Sequence, residues 1–194
     1  MGRYRIEDQQ GLNFVTCTVV GWIDIFSHQN YRDIVIESLA YCREHKGLLV
    51  FVYVVMSNHV HLVLQTAPDS PNLLSDILRD FKKFTAHRII ETILKEPESR
   101  RDWLLHMFKF YANFNCNNRN YQIWQQDNHP ITLYSEKVIW ENADYIHNNP
   151  VRAGIVRKPE DYLYSSAANY KEQRSDGILE IDLLNTWWTD WGKV

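Results

Sequence analysis

The sequence predicts an α+β domain, a ferredoxin-like antiparallel sheet with helices on one face, built on the split βαβ plan. Two observations carry that prediction. The apolar periodicity switches between strand-like and helix-like in the order β-α-β-β-α, followed by a further strand and helix. The apolar run Leu48 to Met56 is followed by a turn-like Ser57-Asn58 and then by an alternating segment, which makes two adjacent antiparallel strands.

Each element has its own reason. Gly11 to Val20 is mixed apolar and β-branched and reads as a strand. Tyr31 to His45 places Ile34, Val35, Leu39 and Cys42 at helical spacing, and Gly47 suits the C-terminal cap. Leu48 to Met56 is short, continuous and rich in Val, as a buried strand is, and Val60, Leu62 and Leu64 alternate along the next one. Leu73 to Leu94 is a long helix with Leu74, Ile77, Leu78, Phe81, Phe84 and Ile89 on its apolar side, ended by Pro97. Residues 98–134 give no clear period. The Asn-rich stretch Asn113 to Asn120 reads as an exposed loop, and Ile123-Trp124 as a strand. Ser135 is an N-cap with Glu136 in the first turn. Its helix is expected to run to about Asn148, with Pro150 preventing continuation. Residues 1–150 form the main domain, and 151–194 an aromatic extension packed on it.

Composition narrows the class. Apolar residues make up 45% of 194 and charged residues 23%, the balance of a globular chain rather than a disordered one. A formal charge of −3 excludes a chain-wide basic coat, although 21 Lys and Arg leave room for a local patch. Cys17, Cys42 and Cys116 are odd in number and widely spaced, with no CxxC pair, which points away from a disulfide framework and from structural zinc. The polar start lacks a secretory apolar core, and Leu48 to Met56 is too short to span a membrane. A soluble, cytoplasmic protein is expected.

The chemistry concentrates in two places. In Met56-Ser-Asn-His-Val-His-Leu-Val-Leu64, residues i and i+2 of a strand point to one side, so His59 and His61 project together with Val60 behind them. Their Cα atoms lie about 6.5–7 Å apart, close enough for the imidazoles to converge on a cation. An HxH spacing is common by chance. Its weight here comes from lying in an otherwise apolar strand pair, where imidazoles are expensive to bury without partners. The second place is Asp144-Tyr-Ile-His-Asn-Asn-Pro150. Tyr145 and Asn149 are i and i+4 on one helix face, so Tyr145 can supply a phenolate nucleophile while Asn149 offers a carbonyl oxygen to the same metal as the histidines. The plainer alternative is a half-buried packing tyrosine and an Asn-Asn-Pro helix stop.

Together these segments resemble a known family. Residues 56–63 resemble the His-hydrophobic-His motif of the single-tyrosine HUH transposases. Tyr145-Ile-His-Asn-Asn-Pro-Val-Arg-Ala-Gly-Ile-Val156 resembles the tyrosine helix of their REP-associated, IS200-like branch. Lys158-Pro-Glu-Asp-Tyr-Leu-Tyr-Ser-Ser-Ala167 is similar to the segment after the tyrosine helix in that branch. The likeness extends from the first strand to about Tyr170. It implies the HUH fold, a divalent Mg²⁺ or Mn²⁺ ion held by His59 and His61, and Tyr145 as nucleophile. It further implies transposase activity: cleavage and rejoining of single-stranded DNA at palindromic hairpin repeats through a 5′-phosphotyrosine, with no nucleotide cofactor. Insertion-sequence relatives often carry glutamine four residues after the tyrosine as a further metal ligand. Here that position is Asn149, with His147 and Gln125 as rivals, and residues 95–120 are longer than usual.

DNA binding requires cations and stacking planes. Arg79, Lys82, Lys83, His87 and Arg88 cluster on the long helix; Arg152, Arg157 and Lys158 follow the tyrosine; Tyr162 and Tyr164 are candidate stacking residues. The alternative for each is a solvated face or ordinary packing. Two further functional readings remain: a domesticated hairpin-DNA-binding protein without turnover, and a metal-dependent hydrolase of small molecules. A monomer is favoured over a homodimer, since the extension can occupy the dimer surface.

Overall fold

The computed structural model describes residues 6–114 and 120–184. Cys116, most of the Asn113–Asn120 loop and the last ten residues of the extension lie outside the described residues. Four strands, β1 (Asn13–Thr18), β2 (Leu48–Val55), β3 (His59–Thr66) and β4 (Ile131–Thr132), form one antiparallel sheet in the order β2-β3-β1-β4. That order is the one the split βαβ plan produces. Helix α1 (Gln29–Lys46) carries the chain over β3's place, and the β2–β3 hairpin then fills the gap between β1 and β2.

Gly47 caps α1 in the left-handed region, at φ 68°, with its N–H donating to the Cys42 carbonyl. A Cβ there would also meet the Ser70 side chain at 2.9 Å, so both backbone and space select glycine. Helix α2 (Leu74–Lys95) buries Leu74, Ile77, Leu78, Phe81, Thr85, Ile89, Thr92 and Ile93. Phe84, expected on that stripe, is instead 54% exposed, because Thr85 holds the inward position. Its hydroxyl bonds the Phe81 carbonyl (2.8 Å) and accepts from the Trp124 indole (2.9 Å).

Residues 98–134 contain helix α3 (Arg101–Ala112), with Leu104, Phe108 and Ala112 inward at i, i+4 and i+8. The helix was hidden because it lacks a side-chain cap at Arg100 and is only three turns long. Ile123-Trp124 is an isolated bridge to Val19 rather than a strand. Helix α4 (Glu136–Arg152) is capped by Ser135, whose Oγ accepts from the Val138 N–H (3.4 Å). It runs through Pro150, correcting the expected stop. The proline is buried one turn from the end, where only one hydrogen bond is lost, and Ile155 N–H closes on its carbonyl at 2.9 Å.

Helices α1 and α2 pack together on one face of the sheet, as expected. Helix α4 departs from the expected placement of helices on one face alone: it crosses the other face, because its apolar stripe Ile139, Ala143, Ile146 and Pro150 leans on β2 and β3 there. The extension runs along the outer edge of β2. Val55 N–H donates to the Tyr164 carbonyl (2.9 Å), Ser166 N–H to that of Tyr53 (3.0 Å) and Asp182 N–H to that of Val50 (2.8 Å). The Asp182 carboxylate accepts from Val50 N–H and pairs with Arg43, and Ala167–Glu172 forms the short helix α5. Among the described residues, no helix is long and apolar enough to cross a membrane.

Candidate active site

Strand β3 lies between β1 and β2, so its backbone is held on both edges and its side chains have a rigid mount. Pairing places Thr18 beside His59, Thr16 beside His61 and Phe14 beside Val63, all on the face that α4 covers. The two imidazole centroids lie 4.6 Å apart. Phe14 stacks on His61 at 5.4 Å, and His61 is only 6% exposed.

Each imidazole has its Nδ1 engaged. His59 Nδ1 lies 2.6 Å from Asn58 Oδ1, and Asn58 Nδ2 donates to the Trp22 carbonyl at 3.3 Å. With the amide oriented that way its oxygen can only accept, so His59 carries its proton on Nδ1 and presents the Nε2 lone pair. His61 Nδ1 lies 2.9 Å from the Thr16 hydroxyl, a partner that allows the same tautomer. Burial lowers the pKa of His59; burial and then the neighbouring His59 lower that of His61 to about 3. Both rings are therefore neutral at physiological pH, the form that ligates a metal.

Tyr145 enters from α4. It sits beside buried Ile146 on the flank of the apolar stripe, so its ring is half in and half out, at 39% exposure. The ring centroid is 5.4 Å from His61 and 6.4 Å from Phe14. The Arg152 guanidinium, two turns on along the same helix face, lies 5.1 Å over that ring. One face of the sheet thus brings together a neutral imidazole pair, a partly exposed phenol and a cation.

The donor set suits a divalent ion in part. Two imidazoles with ordered Nδ1 partners are good ligands, but among the described residues no group of three or more His, Cys, Asp or Glu could hold a metal. A metal on the two imidazoles would still need further ligands, for which oxygens of phosphate, water or an amide are suited. Asn149 donates its Nδ2 to the Tyr145 carbonyl (2.8 Å), and no hydrogen bond ties it to either histidine. His147 is turned away, with Nε2 2.9 Å from Ser166 Oγ and its ring against Tyr170. Gln125 Nε2 donates to the Val19 carbonyl (3.4 Å).

The predicted basic residues divide. Arg152 joins Tyr145, and Arg157 and Lys158 are exposed just beyond it in sequence. The α2 cluster lies on the opposite face of the sheet. Lys82 turns inward, donating to the Gln125 carbonyl (2.5 Å) and to Asn128 Oδ1 (2.6 Å), so it clamps residues 125–128. Arg79 pairs with Asp76 and Asp80, and Arg88 with Glu91. Lys83 and His87 line an open groove of about 1020 Å³ between α2 and residues 120–126. Tyr162 and Tyr164 are not stacking platforms. Both are buried, their hydroxyls donating to the Val55 carbonyl (2.8 Å) and to Asp33 (2.6 Å). Sequence reasoning missed Thr16, Asn58 and Trp22. Thr16 has no local signal, but Asn58 directly precedes the first histidine.

No protein-family model matches the chain, and no curated protein matches it. Among solved structures, a REP-associated tyrosine transposase bound to a REP hairpin shares the fold at a TM-score of 0.59 with 20% identity, over 89% of this chain and 87% of that one. A protein of Deinococcus radiodurans provisionally classed as a transposase aligns at 0.42 with 18% identity, over 76% and 97%. A bacterial tRNA(His) guanylyltransferase-like protein in complex with ATP aligns at 0.41 with 14% identity, over 81% and 68%.

Proposed function

We propose that this chain is a REP-associated tyrosine transposase that cleaves and rejoins single-stranded DNA at palindromic hairpin repeats, with Tyr145 as nucleophile and a divalent ion on His59 and His61. The observation that carries the reading is the 5.4 Å approach of the Tyr145 and His61 rings, with His59 alongside. The three sequence motifs, and a shared fold with a transposase bound to a REP hairpin, support it.

His59 and His61 would hold the metal through Nε2, with Asn58 and Thr16 fixing the rings. Bound there, Mg²⁺ or Mn²⁺ would neutralise charge on the scissile phosphate and on the departing 3′ oxygen. Tyr145 Oη bonds to phosphorus while the phosphorus–3′-oxygen bond breaks. The phenol proton is passed on, and the 3′ oxygen leaves as a hydroxyl. The product is a 5′-phosphotyrosine, which the 3′-hydroxyl of a second strand attacks to restore the phenol and complete transfer. Arg152, poised over the ring, stabilises negative charge on the phenol oxygen in both directions.

The test is incubation of a labelled hairpin oligonucleotide, carrying single-stranded flanks, with wild type or Tyr145→Phe in Mg²⁺ or Mn²⁺. The expected result is a covalent protein–DNA adduct with wild type and none with the variant. Hairpin binding by wild type with no adduct at any metal concentration would overturn the enzymatic reading in favour of a binding protein without turnover.

A further inference from the structure

Trp22 occupies a position that neither backbone preference nor packing accounts for. Its φ is +55°, in the left-handed region where a bulky residue is strained, and it follows Gly21 at φ +61°. Gly21 has an evident reason: a Cβ there would meet the Tyr111 ring, with the hydroxyl at 2.5 Å. Trp22 has none of that kind. A strained residue usually gains burial in return, yet this indole is 61% exposed.

What the turn does achieve is placement. The Trp22 ring stands edge-to-face to His59 at 6.0 Å, and His59 in turn adjoins His61, which faces Tyr145. Three bonds hold the turn: Trp22 N–H to the Val19 carbonyl (3.1 Å), Ile23 N–H to the Val20 carbonyl (3.3 Å), and Asn58 Nδ2 to the Trp22 carbonyl. Since Asn58 also holds His59 Nδ1, a single amide couples the indole's backbone to the imidazole.

We infer that Trp22 is the stacking platform for an unpaired base of the DNA strand beside the cut, setting the position of the scissile phosphate over His59 and Tyr145. It is a positioning residue that takes no part in bond making. The inference rests on the DNA-cleaving reading above. An exposed indole face is sequence-tolerant for bases and favours a single strand, whose bases are free to leave their neighbours, over a closed duplex.

The experiment uses the full chain carrying Tyr145→Phe, so that binding is read without cleavage, and hairpins with and without single-stranded flanks. 2-Aminopurine is placed at successive flank positions. Quenching at one position is expected, and is abolished by Trp22→Leu. That substitution should weaken binding of the flanked hairpin about 5- to 150-fold, the span of base–aromatic stacking, and leave the bare hairpin unchanged. Trp22→Phe should retain most of the affinity. Trp22→Gly, which suits the left-handed turn, should raise Tm while binding the flanked hairpin as poorly as Trp22→Leu, which a merely structural tryptophan would not do. Equal loss for both hairpins, or full affinity and quenching in Trp22→Leu, overturns the inference but leaves the proposed activity standing. Failure of the Tyr145→Phe protein to bind any hairpin overturns both.

Discussion

The His61 imidazole of an inner strand and the Tyr145 phenol of a helix arriving from the far end of the chain face each other at 5.4 Å, their planes inclined at 65°. The contact is not sealed. Tyr145 keeps 39% of its surface in solvent, whereas His61 keeps 6%, so the phenol is the more accessible of the two groups. The consequences of that arrangement can be measured one residue at a time.

Thr16 and Asn58 should matter as much for metal as the histidines they orient. Thr16→Val keeps the shape and removes the partner of His61 Nδ1; Asn58→Ala removes that of His59. Each is expected to weaken Mn²⁺ affinity about 10- to 100-fold, the usual cost of losing a ligand's outer partner. Calorimetric titration of Mn²⁺ into the protein measures it, and unchanged affinity in both variants would remove these residues from the account.

Arg152 should act on chemistry more than on DNA affinity. Its guanidinium sits 5.1 Å over the Tyr145 ring at a partly exposed site, where such a contact is worth about 0.5–1 kcal/mol. Arg152→Ala is expected to slow adduct formation roughly 2- to 5-fold at saturating DNA. A single-turnover time course at saturation reads this directly, and a rate equal to wild type would show that the ring contact is incidental.

Lys83 should behave in the opposite way, since it lies on the face of the sheet away from Tyr145. If DNA reaches that groove, Lys83→Ala should lower affinity and reduce the slope of log affinity against log salt by about one contact. The single-turnover rate at saturation should stay as in wild type. An unchanged salt slope would confine the DNA to the α4 face.

His147 should make the fold sensitive to acid. Burial lowers its pKa to about 4. The unfolded chain takes up that proton near the ordinary histidine value, about 6.5, and the folded protein does not until about pH 4, so the unfolded state binds more protons between the two. Stability from this group is complete above pH 6.5 and is lost as pH falls through that window. His61, lowered to about 3, adds in the same direction. Melting temperature should therefore decline from pH 7 to pH 4.5, and His147→Gln should shallow the decline. Identical slopes for the two proteins would argue against a buried neutral His147.

Much of this molecule was legible in the chain itself, for identifiable reasons. The β2–β3 hairpin and the shared face of His59 and His61 follow from a period of two and a turn dipeptide. Helix α4 announced itself through Ser135 and Glu136. By contrast α3 had no cap to mark it, Phe84 lay one step from a stripe position that Thr85 took instead, and Pro150 was tolerated because it fell in the last turn and could be buried. The sequence suggests Lys82 as a DNA-facing cation, yet two carbonyl-type oxygens of residues 125–128 draw it inward.

What the sequence determined unaided was which side chains leave an element together, because that direction is set by the local backbone: two imidazoles from one strand, Tyr145 and Asn149 from one helix face. Which surfaces then meet was decided only by tertiary structure. Helix α4 lies over the histidine face because Ile139, Ala143, Ile146 and Pro150 find apolar surface there, leaving the other face to α1 and α2. Trp22 stands beside His59 because Asn58, distant in sequence, donates to its carbonyl, with Tyr111 lying close to Gly21 before it. Such docking is the sum of many small contacts between remote segments, and no local period encodes it.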